Sequence, residues 1–306
     1  MNNTVYVISG PTAVGKSIIA FYLAKRIGGE IVNCDSVQLY KYMDVGSAKP
    51  PEETMRKVRH HLYSIVEPDY SMTVATYQKL ANAVIDDILA RGKTPILCGG
   101  TGLYLNSVLY NMDFAGSKGN AARRAELEQM AETRGSDYMY QYLTAIDPDS
   151  ASRIHPNNTR KIIRAIEAFE EGQGIRDLSE CRLNPKYDFK FFALTMEREW
   201  LYDRINRRVL QLIDKGLIDE VLGLLRRGYS VNTPAMKAIG YKETIAYINK
   251  EYDLETLVEE IRRNTRHYAK RQLTWLRRYD FVHWIEIHKG DTVGEIVDVL
   301  LEEAAK

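Results

Sequence analysis

The sequence predicts an α/β fold with a mostly parallel sheet that is flanked by helices and interrupted by a helical insertion. Short apolar runs alternate with segments of helical periodicity over the first hundred residues. This alternation stops near Asp113, where charged helical segments take over, and it returns at Phe189. Strands that alternate with helices at such spacing are typical of parallel sheets, because each parallel pair needs a crossover connection. We therefore expect an α/β core at 1–113 and 187–306, and a helical domain at 114–186.

The elements of the expected core follow one another in a regular order. Thr4–Ser9 is an apolar run that ends at Gly10, which is typical of a buried strand. Further core strands are expected at 30–34, 94–98, 189–196 and 281–287, and core helices at 17–27, 74–89 and 198–214. Within the insertion, helical patterns cover 123–133 and 159–171.

Composition excludes several classes of protein. Hydrophobic residues make up 45% and charged residues 27% of the 306 residues, which is ordinary for a globular protein of this size. No apolar run reaches membrane-spanning length, and the N-terminus has no basic segment of a secretion signal. Three cysteines lie far apart, which argues against a disulfide framework or a CxxC zinc site and indicates the cytoplasm: Cys34, Cys98 and Cys181.

Positive charge is concentrated in one segment of a chain whose formal net charge is only +1. Residues 261–278, called the basic stripe below, hold seven Lys or Arg and no acidic residue. Tyr268 and Trp275 lie among them, and such a mixture suits a partner with a phosphate backbone. The alternative is an ordinary solvated helix face.

A complete phosphate-loop motif joins the first predicted strand to the first helix. GPTAVGKS at 10–17 matches GxxxxGK[ST]. Its glycines let backbone amides turn onto phosphate oxygens at a helix N-terminus, Lys16 supplies a cation, and the Ser17 hydroxyl can hold Mg²⁺. This loop is predicted to bind a diphosphate or a nucleotide such as ATP. The residues of the predicted site are Gly10, Pro11, Thr12, Ala13, Val14, Gly15, Lys16 and Ser17.

The acid that a nucleotide hydrolase needs after a second strand is absent from its usual place. The strand expected at 94–98 ends in Gly-Gly-Thr-Gly, whereas an acid, Asp35, follows the strand expected at 30–34. Ligands of open α/β sheets bind at the carboxyl ends of strands, so Asp35 should face the phosphate loop. The alternative for Asp35 is a turn former or helix cap.

Several segments taken together resemble the tRNA dimethylallyltransferase (tRNA isopentenyltransferase) family. The phosphate loop alone is shared with many kinases, but the set spans nearly the whole chain in order. The matching segments are GPTAVGKS at 10–17, DSVQLY at 35–40, DVGSAKP at 44–50, GGTGLY at 99–104, IHPNNTRKIIRAIEAF at 154–169, RINRRV at 204–209, AIGYKE at 238–243 and YAKRQLTWLRR at 268–278.

The resemblance implies transfer of a dimethylallyl group from dimethylallyl diphosphate to N6 of the adenine just 3′ of the tRNA anticodon. Diphosphate then leaves, and Mg²⁺ is the expected cofactor. By the same resemblance, Asp35 is the general base, Arg208 contacts the diphosphate, and Thr101 lies near the bridging oxygen and the target base. These roles suit the chemistry, because a poor amine nucleophile gains from a carboxylate that takes its proton, and the leaving oxygens gain from cations.

The resemblance also implies which residues bind the anticodon stem-loop of the tRNA. Gln38 suits an adenine, because its amide can donate and accept at the base edge. The helical insertion contributes the segment at 160–164. The full predicted set is Asp35, Ser36, Val37, Gln38, Thr101, Arg123, Arg160, Lys161, Ile162, Ile163, Arg164, Arg266, Lys270 and Arg271.

Two other functions share some of these features. A P-loop nucleoside or small-molecule kinase would have the same core and loop, but it would need ATP and an acid on the second strand, and it would not use the basic stripe. An RNA-binding module without catalysis would not need an intact GKS or Asp35. We expect a monomer in the cytoplasm with no membrane contact.

Overall fold

The computed structural model describes residues 3–112, 120–172 and 181–306. The chain divides into two compact units, Met1–Leu109 with Asn184–Lys306, here called the core unit, and Tyr110–Leu183, the insertion unit. The first boundary predicted from the sequence, at 113 and 114, lies outside the described residues. The second, at 186 and 187, lies close to the observed division.

The core unit is built on one sheet of six strands, and every described strand pairing in it is parallel. The strand order is β3-β2-β4-β1-β5-β6. β1 therefore lies between β4 and β5, which places the first strand of the chain in the middle of the sheet. The strands are β1 (Thr4–Ser9), β2 (Glu30–Asn33), β3 (His60–His61), β4 (Pro95–Cys98), β5 (Asp188–Met196) and β6 (His283–Ile287).

Helices form most connections of the sheet, and every element described in the insertion unit is a helix. The core unit contains α1 (Lys16–Ile27), α2 (Glu52–Lys57), α3 (Val74–Ala90), α4 (Gly102–Leu109), α8 (Arg198–Asp214), α9 (Leu217–Arg226), α10 (Tyr241–Ile248), α11 (Leu254–Leu276) and α12 (Val293–Ala304). The insertion unit contains α5 (Ala121–Ile146), α6 (Pro148–Arg153) and α7 (Thr159–Glu170). Within the described ranges, no helix is both long and apolar enough to cross a bilayer.

The predicted α/β class with a mostly parallel sheet is confirmed, and the phosphate loop joins β1 to α1 as expected. Predicted and observed bounds agree to within a residue or two for most elements. The sequence predicts no bounds for the strand β3 or for the helices α2, α4, α6, α9, α10, α11 and α12. β3 and α2 in particular are too short to show a period of their own.

Two apolar clusters hold the core unit together. The first packs α1, α8 and α12 against the sheet through buried side chains such as Ile8, Leu23 and Phe192. The second packs α8, α9, α10 and α11 around Tyr241 and Met43. Burial of side chains of this size stabilises the fold by about 1.5–3 kcal/mol each. The second cluster fixes a set of helices beyond the carboxyl ends of the strands.

The insertion unit has its own apolar core. Leu127, Met139 and Leu143 of α5 pack against Ile162 and Ile166 of α7. α5 bends at Gly135, where φ is +82°, a value that glycine adopts without a steric penalty. Asn158 begins α7 as its N-cap, because its side chain accepts a hydrogen bond from the Lys161 amide at 3.2 Å.

Candidate active site

A cavity of about 860 Å³ lies at the carboxyl ends of the central strands of the core unit. It is the place where a parallel α/β sheet binds its ligands. Its walls come from the phosphate loop, the segment after β2, the segment 44–51, and residues of α8 and α11. The predicted site residues that line it are Thr12, Ala13, Gly15, Lys16, Ser17, Asp35, Ser36, Val37, Gln38, Arg208 and Arg271.

The phosphate loop has a backbone that its glycines make possible. Gly10 has φ of +145°, and a Cβ there would lie 2.6 Å from the carbonyl oxygen of Leu194 on β5. Gly15, with φ of +110°, begins α1 as its N-cap. Arg204 of α8 holds the outside of the loop, because its Nε donates to the Ala13 carbonyl at 2.9 Å. Gly10, Pro11 and Val14 shape the loop without lining the cavity.

Lys16 turns onto its own loop in this structure. Its Nζ donates to the carbonyl oxygens of Gly10 at 3.0 Å and Pro11 at 2.8 Å. Burial lowers the pKa of Lys16 to about 8, and Arg208 adds to this effect, while Cys98 and Asp35 oppose it. Lys16 is thus a cation that is poorly solvated and gains from an anion in the cavity.

Asp35 both closes a turn and faces the cavity. Its Oδ1 accepts hydrogen bonds from the amides of Val37 at 2.8 Å and Gln38 at 3.4 Å. Asn33 braces the same turn, since its Oδ1 accepts from the Asp35 amide at 2.9 Å. Among the described residues, none donates a hydrogen bond to Oδ2 of Asp35. One carboxylate oxygen therefore fixes the residue, and the other is open to a ligand.

Arg208 of α8 is a half-buried cation that lines the same cavity. Within the described part of the chain, no carboxylate forms an ion pair with it. Burial lowers the pKa of Arg208, Asp35 opposes this shift, and Arg204 adds to it. Arg204 and Arg207, its neighbours in the sequence, are engaged elsewhere, with the Ala13 carbonyl and with Asp203 at 2.5 Å respectively. Only Arg208 of the three lines the cavity.

Thr101 does not line the cavity, although it lies beside it. Its Oγ1 accepts a hydrogen bond from the Ser36 amide at 3.0 Å, and its own amide donates to the Cys34 carbonyl at 3.1 Å. Tyr268, a residue of the basic stripe, does line the cavity. Thr101 thus ties the end of β4 to the turn that carries Asp35.

Gln38 is held in one orientation. Its Nε2 donates to the carbonyl oxygens of Ser47 at 3.0 Å and Ala48 at 3.4 Å. The expectation that both ends of this amide would meet a base is therefore corrected. The donor end is occupied, and only the acceptor end, Oε1, is left for a ligand.

Sequence reasoning missed the residue that holds the segment 44–51. Glu220 of α9 accepts hydrogen bonds from the amides of Asp44 and Val45, both at 2.7 Å, and Gly46 at 2.9 Å. The Tyr241 hydroxyl also donates to Glu220, at 2.7 Å. The motifs DVGSAKP and AIGYKE pointed to 44–46 and Tyr241, but nothing in the sequence singled out Glu220.

The residues of the basic stripe differ in their partners: some are engaged by neighbouring side chains, and others are not. Arg262 and Arg263 pair with acids one turn earlier in α11, and Arg266 Nη1 donates to Asn206 Oδ1 at 2.8 Å. Lys270 is exposed and Arg271 lines the cavity, and neither pairs with a carboxylate of the described residues. The stripe is therefore not one continuous free surface.

Two of the predicted tRNA contacts in the insertion unit are wrong as side-chain contacts. Ile162 and Ile163 are buried in the apolar core, because they face inward on α7. Arg160, Lys161 and Arg164 are exposed on the same helix, as an RNA surface requires.

Arg123 is less available than the sequence suggested. Its guanidinium donates to Glu170 at 2.7 and 2.9 Å and to Glu126 at 2.8 Å. Arg124, its neighbour, makes a bidentate pair with the buried Glu167 at 2.8 and 2.9 Å. Contact of either arginine with a phosphate would have to compete with these pairs.

The described ranges contain no group of three or more His, Cys, Asp or Glu that could hold a metal ion. Mg²⁺ does not need such a group, because it keeps several waters and often binds through substrate phosphates and one or two protein oxygens. The exposed hydroxyl of Ser17 and the carboxylate of Asp35 both line the cavity and are oxygen ligands of the required type. The residues present therefore fit Mg²⁺ bound together with a diphosphate.

Comparisons with known proteins identify relatives of the chain. A family model described as IPP transferase matches residues 38–279. The tRNA dimethylallyltransferase of Alkaliphilus oremlandii is 47% identical over 305 residues, 99% of this chain and 97% of its own length. That of Caldanaerobacter subterraneus is 45% identical over 98% of this chain and 97% of its own length.

Solved structures give the same result. The tRNA isopentenylpyrophosphate transferase of Bacillus halodurans matches with a TM-score of 0.75 at 40% identity, over 99% of this chain and 96% of that chain. A eukaryotic dimethylallyltransferase acting on tRNA matches with a TM-score of 0.78 at 26% identity, over 93% of this chain and 74% of that chain. On this likeness of sequence and structure, which covers nearly the whole chain, the protein belongs to the tRNA dimethylallyltransferase family.

Proposed function

We propose that the protein transfers a dimethylallyl group from dimethylallyl diphosphate to N6 of the adenine 3′-adjacent to the tRNA anticodon, and releases diphosphate. The observation that carries this proposal is the meeting of Lys16, Arg208 and Asp35 in one cavity. Two cations suit a leaving diphosphate, and a carboxylate with an open oxygen suits the amine that attacks. The names of the relatives supply the reaction that joins these two halves.

Donor binding is assigned to the phosphate loop and Arg208. As the bond from C1 to the bridging oxygen breaks, its electron pair goes to the diphosphate, and negative charge grows on the leaving oxygens. Lys16 and Arg208 are poorly solvated, so their attraction to this charge is stronger than it would be in water. Mg²⁺ held at Ser17 would add positive charge on the same diphosphate.

Acceptor binding is assigned to the turn after β2. As the N6–C1 bond forms, the proton on N6 passes to the open oxygen of Asp35. Gln38 presents only its acceptor oxygen, since Ser47 and Ala48 hold the amide nitrogen. An acceptor at this position suits the exocyclic amino group of adenine and disfavours the keto oxygen of guanine.

The tRNA is assigned to the exposed basic residues. Lys270 and Arg271 on α11 and the face of α7 with Arg160, Lys161 and Arg164 suit the phosphate backbone of an anticodon stem-loop. The target adenine has to leave its stack to reach the cavity, which costs a few kcal/mol. Action as a monomer in the cytoplasm is part of the same proposal, and the buried thiols of Cys34 and Cys98 are in keeping with a reducing compartment.

A kinase is the less favoured alternative. The strand β4 ends at Cys98 and continues as Gly-Gly-Thr-Gly, so it offers no acid at the place where a phosphoryl-transfer enzyme would use one. The relatives are named as dimethylallyltransferases over nearly their whole length.

The deciding experiment incubates the purified protein with labelled dimethylallyl diphosphate, Mg²⁺ and unmodified tRNA, with and without ATP. We expect label in the tRNA without ATP, and none when guanine replaces the target adenine. Lys16→Ala should slow transfer by orders of magnitude, because it removes a charge from the leaving group. A strict need for ATP, or phosphate transfer in place of prenyl transfer, would overturn the proposal.

A further inference from the structure

Gln272 of α11 joins two loops that lie far apart in the sequence. Its Oε1 accepts a hydrogen bond from the Thr12 amide at 2.8 Å, and its Nε2 donates to the Gly100 carbonyl at 3.1 Å. The side chain is 6% exposed and lies at the edge of the cavity. A Cβ on residue 100 would lie 2.1 Å from Nε2, so the glycine allows the amide to reach the loop.

The two joined loops serve different substrates of the proposed reaction, one the prenyl donor and the other the acceptor. Thr12 is part of the phosphate loop, which is assigned to the donor. Gly100 precedes Thr101, which holds the turn of Asp35 through Ser36 and is therefore on the acceptor side. Two neighbouring contacts join the same segments: the Ser9 hydroxyl donates to the Gly99 carbonyl at 2.8 Å, and the Gly99 amide donates to the Ile8 carbonyl at 3.2 Å.

Bond formation depends on the distance between these loops. The reacting carbon and nitrogen have to be held about 3–3.5 Å apart and aligned, and a misplacement of about 1 Å can cost about 100-fold in rate. A side chain that fixes the loops to each other acts on this distance without touching either substrate.

We propose that Gln272 is a positioning residue, which sets the phosphate loop and the Asp35–Thr101 side of the site in register for prenyl transfer. Both ends of its amide are engaged by protein groups of matching polarity, so it holds the loops rather than the substrates. The inference rests on the proposed function. It also assigns a role to Gln272 within the motif YAKRQLTWLRR at 268–278. Tyr268 and Arg271 of the same motif line the same cavity.

Two variants separate the two contacts. Gln272→Leu keeps the approximate size of the side chain and removes both hydrogen bonds. Gln272→Glu keeps an acceptor for the Thr12 amide but loses the donor to Gly100 and places a carboxylate against its carbonyl. Gln211→Leu is the matched control, because Gln211 is exposed on α8 and does not line the cavity.

The test is a single-turnover rate at saturating tRNA across donor concentrations, beside a titration with inorganic diphosphate and a melting curve. For Gln272→Leu we expect a maximal rate lower by about 100-fold, weaker diphosphate binding and unchanged tRNA affinity. Gln272→Glu should bind diphosphate nearly as well as the wild-type protein does, but it should still transfer the prenyl group slowly. Gln211→Leu should match the unchanged protein in every measurement.

Contrary outcomes are distinguishable. If both Gln272 variants melt at a lower temperature but reach the maximal rate of the wild-type protein, Gln272 only stabilises the fold and the inference is overturned. If the unchanged protein itself transfers no prenyl group, the proposed function fails. The diphosphate titration then still tests whether Gln272 holds the phosphate loop. If it does, Gln272→Leu must weaken the binding of diphosphate.

Discussion

Replacement of Asp35 by asparagine tests the mechanism most directly, because the structure gives this side chain two separable tasks. Its Oδ1 accepts from the Val37 amide at 2.8 Å and from the Gln38 amide at 3.4 Å, whereas its other oxygen is open to the cavity. An asparagine side chain keeps an oxygen for the turn but cannot accept a proton from the attacking amine.

The expected magnitudes differ widely between the two tasks. Loss of general-base catalysis should lower the rate of the chemical step by about 10²–10⁴. Loss of the turn hydrogen bonds costs only about 1 kcal/mol of the free energy of unfolding. Asp35→Asn should therefore transfer slowly and melt nearly as the unchanged protein does, whereas Asp35→Ala should transfer slowly and also melt a few degrees earlier.

The assay is a single-turnover rate with saturating enzyme and donor, measured beside the melting temperature of each variant. Binding of tRNA should change little in Asp35→Asn, because the contacts that the exposed basic residues make with the phosphate backbone are unchanged. Our reasoning is refuted if Asp35→Asn melts early and yet transfers the prenyl group at nearly the unchanged rate.

Three further predictions concern the charged residues Lys16, Lys270 and Glu30. The pKa of Lys16 is lowered to about 8, so diphosphate affinity should fall as pH rises through 8 to 9, and calorimetry should find no such fall in Lys16→Met. Lys270→Ala should reduce the slope of log K against log salt for tRNA binding by about 1, whereas Arg262→Ala should leave it unchanged, since Arg262 is already paired. Hydrogen bonds from Arg91 hold the pKa of Glu30 far below its usual range, so this carboxylate stabilises the fold above about pH 4.3, and its contribution is lost as pH falls below that value. Glu30 is 1% exposed, so Glu30→Gln should lower the free energy of unfolding at pH 7 by about 3 kcal/mol and give a flatter melting profile in acid.

The parts of the fold with a local cause could be predicted from the sequence. β1, the phosphate loop and α1 form one motif, and their apolar spacing marks both the strand and the helix. β3 could not be found, because two residues carry no period and His60–His61 is a strand only through its pairing with β2. The same holds for Gln272, whose two partners lie 260 and 172 residues away.

Two errors about the site could have been avoided from the sequence itself. Ile162, Ile163 and Ile166 share one helical face, so the period of 3.6 residues already places the first two inside. Likewise, Glu259 and Glu260 precede Arg262 and Arg263 by three residues, which is the spacing of an ion pair within a helix.

The long-range pairing of β1 with β5 has a consequence for biosynthesis. Thr4–Ser9 pairs with residues 188–193, and Gly10 packs against Leu194. A nascent chain therefore carries its phosphate loop for most of translation before the strand that supports it exists. The insertion unit, with its own apolar core, is made in between and can fold first. The phosphate loop is thus among the last features of the core unit to form. A chain that stops before residue 194 lacks the residue against which Gly10 packs.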